Sequence, residues 1–409
     1  MLISNSAALY MVANLTTSAF VFFRNIFFMH SLGHSDLGQI AMIQTIVVAV
    51  GFIQLGIING GYRLYAGADS SSSAHVNNTV MTSLIVLSLL LLTVIALLQF
   101  FDELEFANVQ AQSLWIGCII GVATLGSNWV NNIFIAHEKL SQLSFVNLSA
   151  AMASFLIALT PAVDKLQLIM LALLFQPICI LVLSMAVNAQ TRPRIYIEGK
   201  LTRELIKVGF GSYCAMIVTM GNLQLERWFI IVNLGSEDMG RYYLTVVYST
   251  VFTLIPISLL NLFFPKMVKA FDRKDKQAFN KYTRDHLLAI SIYLGLVCLL
   301  TLAFLPWMLE NILPSYLGQQ HLIYYILPGL IVFVMFDNVV LILQSAKKMV
   351  NILSFAVIAL VLNFIALTYG VKNEILSLEF IALFKTLSII ISASLIVAHL
   401  YVFRKDILF

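Results

Sequence analysis

Asn222-Leu223-Gln224-Leu225-Glu226-Arg227-Trp228 places two adjacent charges inside an apolar segment that closes on the turn Leu234-Gly235-Ser236-Glu237-Asp238-Met239-Gly240. The pattern occurs once earlier. Arg24-Asn25 and a following apolar run lead to Leu32-Gly33-His34-Ser35-Asp36-Leu37-Gly38, each position 202 residues before its counterpart: 24 before 226, 33 before 235, 36 before 238, 38 before 240. The chain reads as one unit written twice.

Working outward from that stretch, the whole chain is apolar. Of 409 residues, 60% are hydrophobic and 11% charged, with a mean hydropathy of +0.92. That leaves too little polar surface to cover a water-soluble protein of this size. The expected fold class is therefore an all-α integral membrane protein. Twelve apolar segments of about 20 residues can be counted, each long enough for a hydrocarbon core of about 30 Å. The first runs from about 7 to 29 and the last from about 378 to 402. No basic n-region precedes the first and no small-residue cleavage site follows it, so it reads as a retained helix. Cys118, Cys179, Cys214 and Cys298 all fall within expected spans, with neither disulfide nor metal spacing.

Basic residues divide unevenly between the two sets of loops. Eighteen lie on one side, including Arg63, Lys139, Arg192, Arg194 and the cluster from Lys266 to Arg284; three, Lys165, Arg241 and Lys372, lie on the other. By the positive-inside rule both termini are cytoplasmic, as an even number of spans requires. The net charge of +4 is accounted for by this placement and is no nucleic-acid footprint. The outer connections are short and rather acidic (Asp102, Glu103, Glu105; Glu237, Asp238; Glu374, Glu379), leaving no room for an extramembrane catalytic domain.

The expected organisation is an N-terminal lobe over 1–190 (six spans), a basic cytoplasmic linker over 191–209, and a C-terminal lobe over 210–409 (six spans). The serine-rich stretch Asp69 to Asn78 reads as a flexible cytoplasmic loop, and Lys266 to Asp285 as an interfacial helix. Ser127, Asn128, Asn131 and Asn132 form a polar stripe on one helical face. Such a stripe serves as an interhelical hydrogen-bond patch or as the lining of a wet cavity, and both readings stand. Two six-span halves entering from the same side make a parallel repeat, the arrangement of alternating-access transporters.

Five charged residues sit within spans: Arg24, Arg227 and Lys385, with Glu226 and Asp337. An ion near the bilayer centre costs about 2.5 to 3.5 kcal/mol on insertion scales, so these should face protein or water. Helical side chains lean toward the N-terminus, which makes snorkelling awkward for Arg24 and Arg227 and easy for Lys385. Neighbours on a helix point about 100° apart, so Glu226 and Arg227 cannot share one partner. A structural salt bridge between Arg24 and Glu226 is one reading. The functional one is that Arg24 and Arg227 present fixed positive charge to an anionic substrate, since guanidinium forks suit phosphate oxygens. The candidate cavity residues are Arg24, Asn25, Arg63, Asn128, Asn222, Arg227 and Lys385, with Glu226 and Asp337 for coupling or charge pairing. Arg63 also reads as a positive-inside anchor.

With these residues in view, the chain resembles the O-antigen and polysaccharide flippases of the multidrug/oligosaccharidyl-lipid/polysaccharide (MOP) exporter superfamily. The likeness rests on the Leu32 to Gly38 turn, the run Leu205-Ile206-Lys207-Val208-Gly209-Phe210, and Glu226, Arg227, Leu234, Gly235, Gly240, Tyr242 and Pro265. It implies two pseudo-symmetric, MATE-like six-helix lobes that rock around a central cationic cavity. The cargo it implies is an undecaprenyl-pyrophosphate-linked oligosaccharide crossing the bacterial inner membrane. No cofactor follows from it; H⁺ or Na⁺ is the candidate coupling ion. The implied partners are the lipid-linked oligosaccharide, membrane lipids, a polysaccharide polymerase and a chain-length regulator. Glu226 departs from the aspartate that commonly precedes the basic residue.

Two rivals differ in what they need. A drug/cation antiporter of the same fold would place an acid in the first lobe's cavity, where this chain has Arg24. A membrane polymerase or glycosyltransferase would need a large outer loop or an acidic sugar-nucleotide site; the sequence shows neither, nor a phosphate-cradling glycine loop. The chain is thus expected not to be an enzyme.

Overall fold

The computed structural model describes residues 5–66, 70–101, 111–192, 194–345 and 349–402. Among these, regular structure is entirely helical. Asp69, the acidic Asp102, Glu103 and Glu105, and the basic Lys347, Lys348, Arg404 and Lys405 lie outside the described residues. The helices are α1 (Asn5–Ser31), α2 (His34–Val50), α3 (Ile57–Ala66), α4 (Ser70–Phe100), α5 (Ala111–Ala136), α6 (Leu140–Leu159), α7 (Lys165–Val187), α8 (Gly199–Asn233), α9 (Ser236–Asp272), α10 (Lys276–Asn311), α11 (Gln320–Ser345), α12 (Met349–Lys372) and α13 (Leu378–Val402). Ten helical stretches of the described residues are long and apolar enough to cross a membrane.

The internal repeat is visible in the helix ends. α1 stops at Ser31 and α8 at Asn233; α2 starts at His34 and α9 at Ser236, so the 202-residue offset read from the turn holds at both edges. Two compact units result, Met1–Ile217 and Val218–Phe409. In the first, α1 packs on α6, α2 on α5, and α7 on both α5 and α6. In the second, α9 packs on α11, and α13 on both α11 and α12. Aromatic contacts repeat as well: Phe20 meets Phe155 between α1 and α6 at 5.8 Å, and Phe229 meets Phe364 between α8 and α12 at 6.0 Å.

The halves differ at their second span. α9 runs unbroken for 37 residues, whereas its counterpart is interrupted between α2 and α3 by a 3-10 turn over Gly51–Gln54, with Leu55 at φ 50 and Gly56 at φ 83. The break receives the first part of α8. A Cβ on Gly60 would lie 1.9 Å from the Leu205 carbonyl oxygen, and one on Gly209 2.0 Å from that of Gly56, so only glycine permits this crossing. Tyr213 donates to the Phe52 carbonyl at 2.5 Å, and Arg63 to Ser212 Oγ at 3.1 Å. Accordingly the first unit extends to Ile217, and α8 passes between units inside a continuous helix. Of the expected linker 191–209, residues from Gly199 onward already belong to α8.

Two local expectations are corrected. The serine-rich stretch is helical from Ser70, because tertiary packing overrides its loop-like composition: Ser73, Val76 and Asn77 are buried, and Trp129 Nε1 donates to Asn77 Oδ1 at 2.8 Å. Residues 266–285 form no separate interfacial helix. α9 runs to Asp272, Lys274 turns the chain at φ 56, and Asp275 caps α10 by accepting from Ala278 N at 3.0 Å.

Candidate functional site

In the first unit, α1, α2, α5 and α7 enclose a cavity of about 410 Å³. Its apolar wall includes Val21, Ile43, Val47, Ile120 and Leu173; its polar groups are Arg24, Asn25, Gln44, Thr124, Ser127, Asn128, Asn131 and Gln176. The stripe on α5 is thus divided: Ser127, Asn128 and Asn131 face the cavity, the wet-lining reading, while Asn132 is not part of the wall. Pro177 also lines it, beside Gln176, where a proline inside α7 frees backbone next to a polar wall.

Arg24 is the charge in that wall. It is 5% exposed, and Nη1 donates to Ser154 Oγ and to Gln176 Oε1, both at 2.6 Å. Ser154 Oγ in turn donates to the Ala172 carbonyl at 2.6 Å, which orients its lone pairs toward the guanidinium. The guanidinium carbon also lies 5.7 Å from the Phe28 ring centroid, a cation–π distance. These contacts fix the side chain in the cavity wall. Beside it Asn25 is buried, and Oδ1 of Asn25 and of Asn131 meets no hydrogen-bond donor among the described residues. The wall therefore offers a fixed cation and carboxamides able to engage a polar guest.

The second unit treats the corresponding helix differently. Glu226, which stands 202 residues after Arg24, is 1% exposed and ion-paired through Oε1 with Lys385 Nζ on α13. Lys385, expected to snorkel and counted among the cavity residues, is instead held by this pair. The partner of Glu226 is accordingly found within its own unit, because α8 brings a buried acid and α13 a half-buried lysine, and a low-dielectric interior favours their pairing. Arg227 projects elsewhere, within electrostatic reach of Tyr242 and Tyr243 on α9 as well as Glu226, and its Nε makes no hydrogen bond among the described residues. This agrees with the angular separation of helical neighbours. Asn222 is half-buried with Oδ1 unsatisfied among the described residues. Asp337 is half-buried on α11, next to Asn338, whose Nδ2 donates to the Thr283 carbonyl at 3.1 Å.

The structure thus gathers Arg24, Asn25 and Asn128 in one cavity, joins Glu226 to Lys385, and sets Arg63 against α8. Ser154 and Gln176, which hold Arg24, were missed: Ser154 is one of several polar residues along α6, and Gln176 stands in the apolar middle of α7. Gln176-Pro177 was the available signal. Among the described residues no cluster of His, Cys, Asp and Glu could hold a metal ion.

No family model and no curated protein matches this chain. Solved structures do. One is the lipid II flippase MurJ in an inward closed conformation, with a TM-score of 0.72 at 15% identity, covering 96% of this chain and 87% of that one. The two chains share one fold. A MATE transporter of Vibrio cholerae superposes with a TM-score of 0.63 at 12% identity over 98% of this chain and 97% of its own. A MOP superfamily transporter from Pyrococcus furiosus, described as having a binding pocket of reversed polarity, gives 0.57 at 10% identity over 96% and 93%. These MOP-fold neighbours are transporters and a flippase rather than enzymes, and the fold they share is an all-helical, multi-pass membrane fold.

Proposed function

We propose that this protein is a flippase that moves a lipid-linked oligosaccharide carrying a pyrophosphate, of the O-antigen or a similar surface-polysaccharide type, across the bacterial inner membrane with both termini cytoplasmic. The observation that carries this reading is Arg24: a buried guanidinium, hydrogen-bonded to Ser154 and Gln176, in the wall of a polar cavity. A pyrophosphate offers such a fork several oxygens, and charge-assisted hydrogen bonds are the strong ones. Asn25, Asn128 and Asn131 would meet sugar or phosphate oxygens. Arg227 would supply a second cation, and Arg63 an early contact with the headgroup. The family resemblance and the fold shared with a lipid II flippase support the cargo class. Alternating access by two lobes over 1–190 and 210–409, joined through 191–209, is the corresponding mechanism.

Since Glu226 is engaged with Lys385, Asp337 is the better candidate for coupling to an H⁺ or Na⁺ gradient. A polymerase and a chain-length regulator would receive the delivered cargo. A drug/cation antiporter is disfavoured by the sign of the charge in the first unit's cavity.

The test is delivery of lipid-linked oligosaccharide to the outer leaflet in a strain lacking the gene. Wild type should relieve its accumulation on the cytoplasmic side, and a stably expressed Arg24→Ala should not. Normal delivery in the deletion strain, with no second flippase present, would overturn the reading.

A further inference from the structure

A second polar cavity, of about 310 Å³, lies in the first unit where α3, α4 and the segment after α7 converge. It shares no lining residue with the cavity around Arg24. It belongs to the basic end of the unit, the end the charge count assigns to the cytoplasm. Its wall includes Tyr65 on α3, Ser73 and Asn78 on α4, and Gln190, Arg192 and Arg194 from the connecting segment. No carboxylate is among its described lining residues.

The connecting segment is built onto α4. Arg194 N donates to Asn78 Oδ1 at 2.8 Å and Tyr196 N to Thr82 Oγ1 at 3.1 Å. Amides two apart on an extended chain repeat every ~6.6 Å, and side chains four apart on a helix every ~6 Å, so the two ladders match in pitch. Upstream, Asn77 Nδ2 donates to the Gln190 carbonyl at 3.1 Å, and Lys139 Nζ donates to Asn188 Oδ1 and Gln190 Oε1, each at 3.1 Å. Arg192 and Arg194 both line the same cavity. Arg192 is held through Nε to the Met185 carbonyl at 2.8 Å, leaving its terminal nitrogens for the cavity. Just beyond, Ile195 and Ile197 are exposed. Arginines over a polar pocket, flanked by exposed aliphatic side chains, fit a membrane interface better than bulk water.

We propose that this cavity binds a phosphate group, presented by an anionic lipid headgroup of the adjoining leaflet or by a free phosphate compound, with Arg192 and Arg194 as its ligands. The site stands independently of the cargo assigned above, because its test reads binding and not transport.

The full chain, purified in neutral detergent, would be titrated with dihexanoyl phosphatidic acid, with dihexanoyl phosphatidylcholine and with inorganic pyrophosphate, following the thermal unfolding midpoint, which a ligand of the folded state raises. Phosphatidic acid should raise the midpoint of wild type. Its apparent affinity should fall about tenfold or more in Arg192→Gln/Arg194→Gln, as expected when charge-assisted contacts are lost. It should stay near wild type in Arg192→Lys/Arg194→Lys and in Arg203→Gln, a variant on α8 outside this cavity. Pyrophosphate acting with the same dependence on both arginines identifies a soluble phosphate as sufficient; action by the lipid alone identifies a headgroup. Unchanged affinity in the glutamine variant, an equal shift from phosphatidylcholine, or no shift from either phosphate probe would overturn the proposal.

Discussion

At one position of the repeat the two halves of the chain solve the same electrostatic problem in opposite ways. α1 carries Arg24, held by the neutral Ser154 and Gln176, and α8 carries Glu226, held by the charged Lys385. Both side chains are buried in units of matching helix packing. Ser154 and Gln176 orient the guanidinium of Arg24 in a cavity wall, whereas the carboxylate of Glu226 is held by an opposite charge. Burying the second arrangement costs desolvation of two ions that their attraction roughly repays. The fold is thus duplicated while the charge at this position is not, and the first unit's cavity carries a guanidinium in its wall.

The largest expected effect tests the paired half. Glu226→Gln leaves the half-buried Lys385 with a neutral partner, and Lys385→Met leaves the buried Glu226 alone. Each should cost about 3 to 5 kcal/mol of stability, while Glu226→Gln with Lys385→Met should recover much of it. Unfolding midpoints in detergent check this; additive losses would show that the two do not act as a pair.

The cationic half is tested next. Arg24→Ala removes charge-assisted hydrogen bonds worth about 1.5 to 3 kcal/mol each, so transport should fall by about tenfold to a hundredfold with protein level preserved. Arg24→Lys, which keeps the charge without the fork, should fall between the two. Full transport in both variants would leave the contrast between the halves without functional meaning.

Two glycine pairs sharpen the structural side. Gly209→Ala forces a Cβ against the Gly56 backbone, and about 1 to 3 kcal/mol of overpacking is expected, while Gly211→Ala on the same helix meets open space and should be neutral or slightly stabilising. The smallest contrast lies at the repeated turn itself. Gly235 sits at φ 95 and Gly33 at φ −69. Gly235→Ala should therefore cost about 1 kcal/mol of strain and Gly33→Ala little, read from the same unfolding curves.

Much of the fold was legible because it is written locally. The turns after α1 and α8 are spelled by the same residues at one offset, and lipid requires helices wherever the chain is apolar. Arg24 was legible for a similar reason, since an arginine in a span has few bland explanations. Its holders were not: Ser154 and Gln176 lie 130 and 152 residues away, on helices whose azimuth no local pattern reports. Lys385 illustrates the same limit. Its lean along α13 reads as favouring escape toward the surface, but an acid 159 residues away holds it. At Ser70 to Asn78 composition misled, because Asn77 and Ser73 earn their helical place from Trp129 and Tyr65 and not from propensity.

The handover inside α8 also has a consequence for biosynthesis. Membrane domains emerge from the ribosome N-terminus first and fold as units, yet the first unit ends at Ile217, beyond the start of the helix that opens the second repeat. The glycine crossing of Gly56 and Gly60 with α8 can form only once Gly209 has been synthesised. The first lobe must therefore wait, six spans already made, for the opening turns of its sister before its own packing closes.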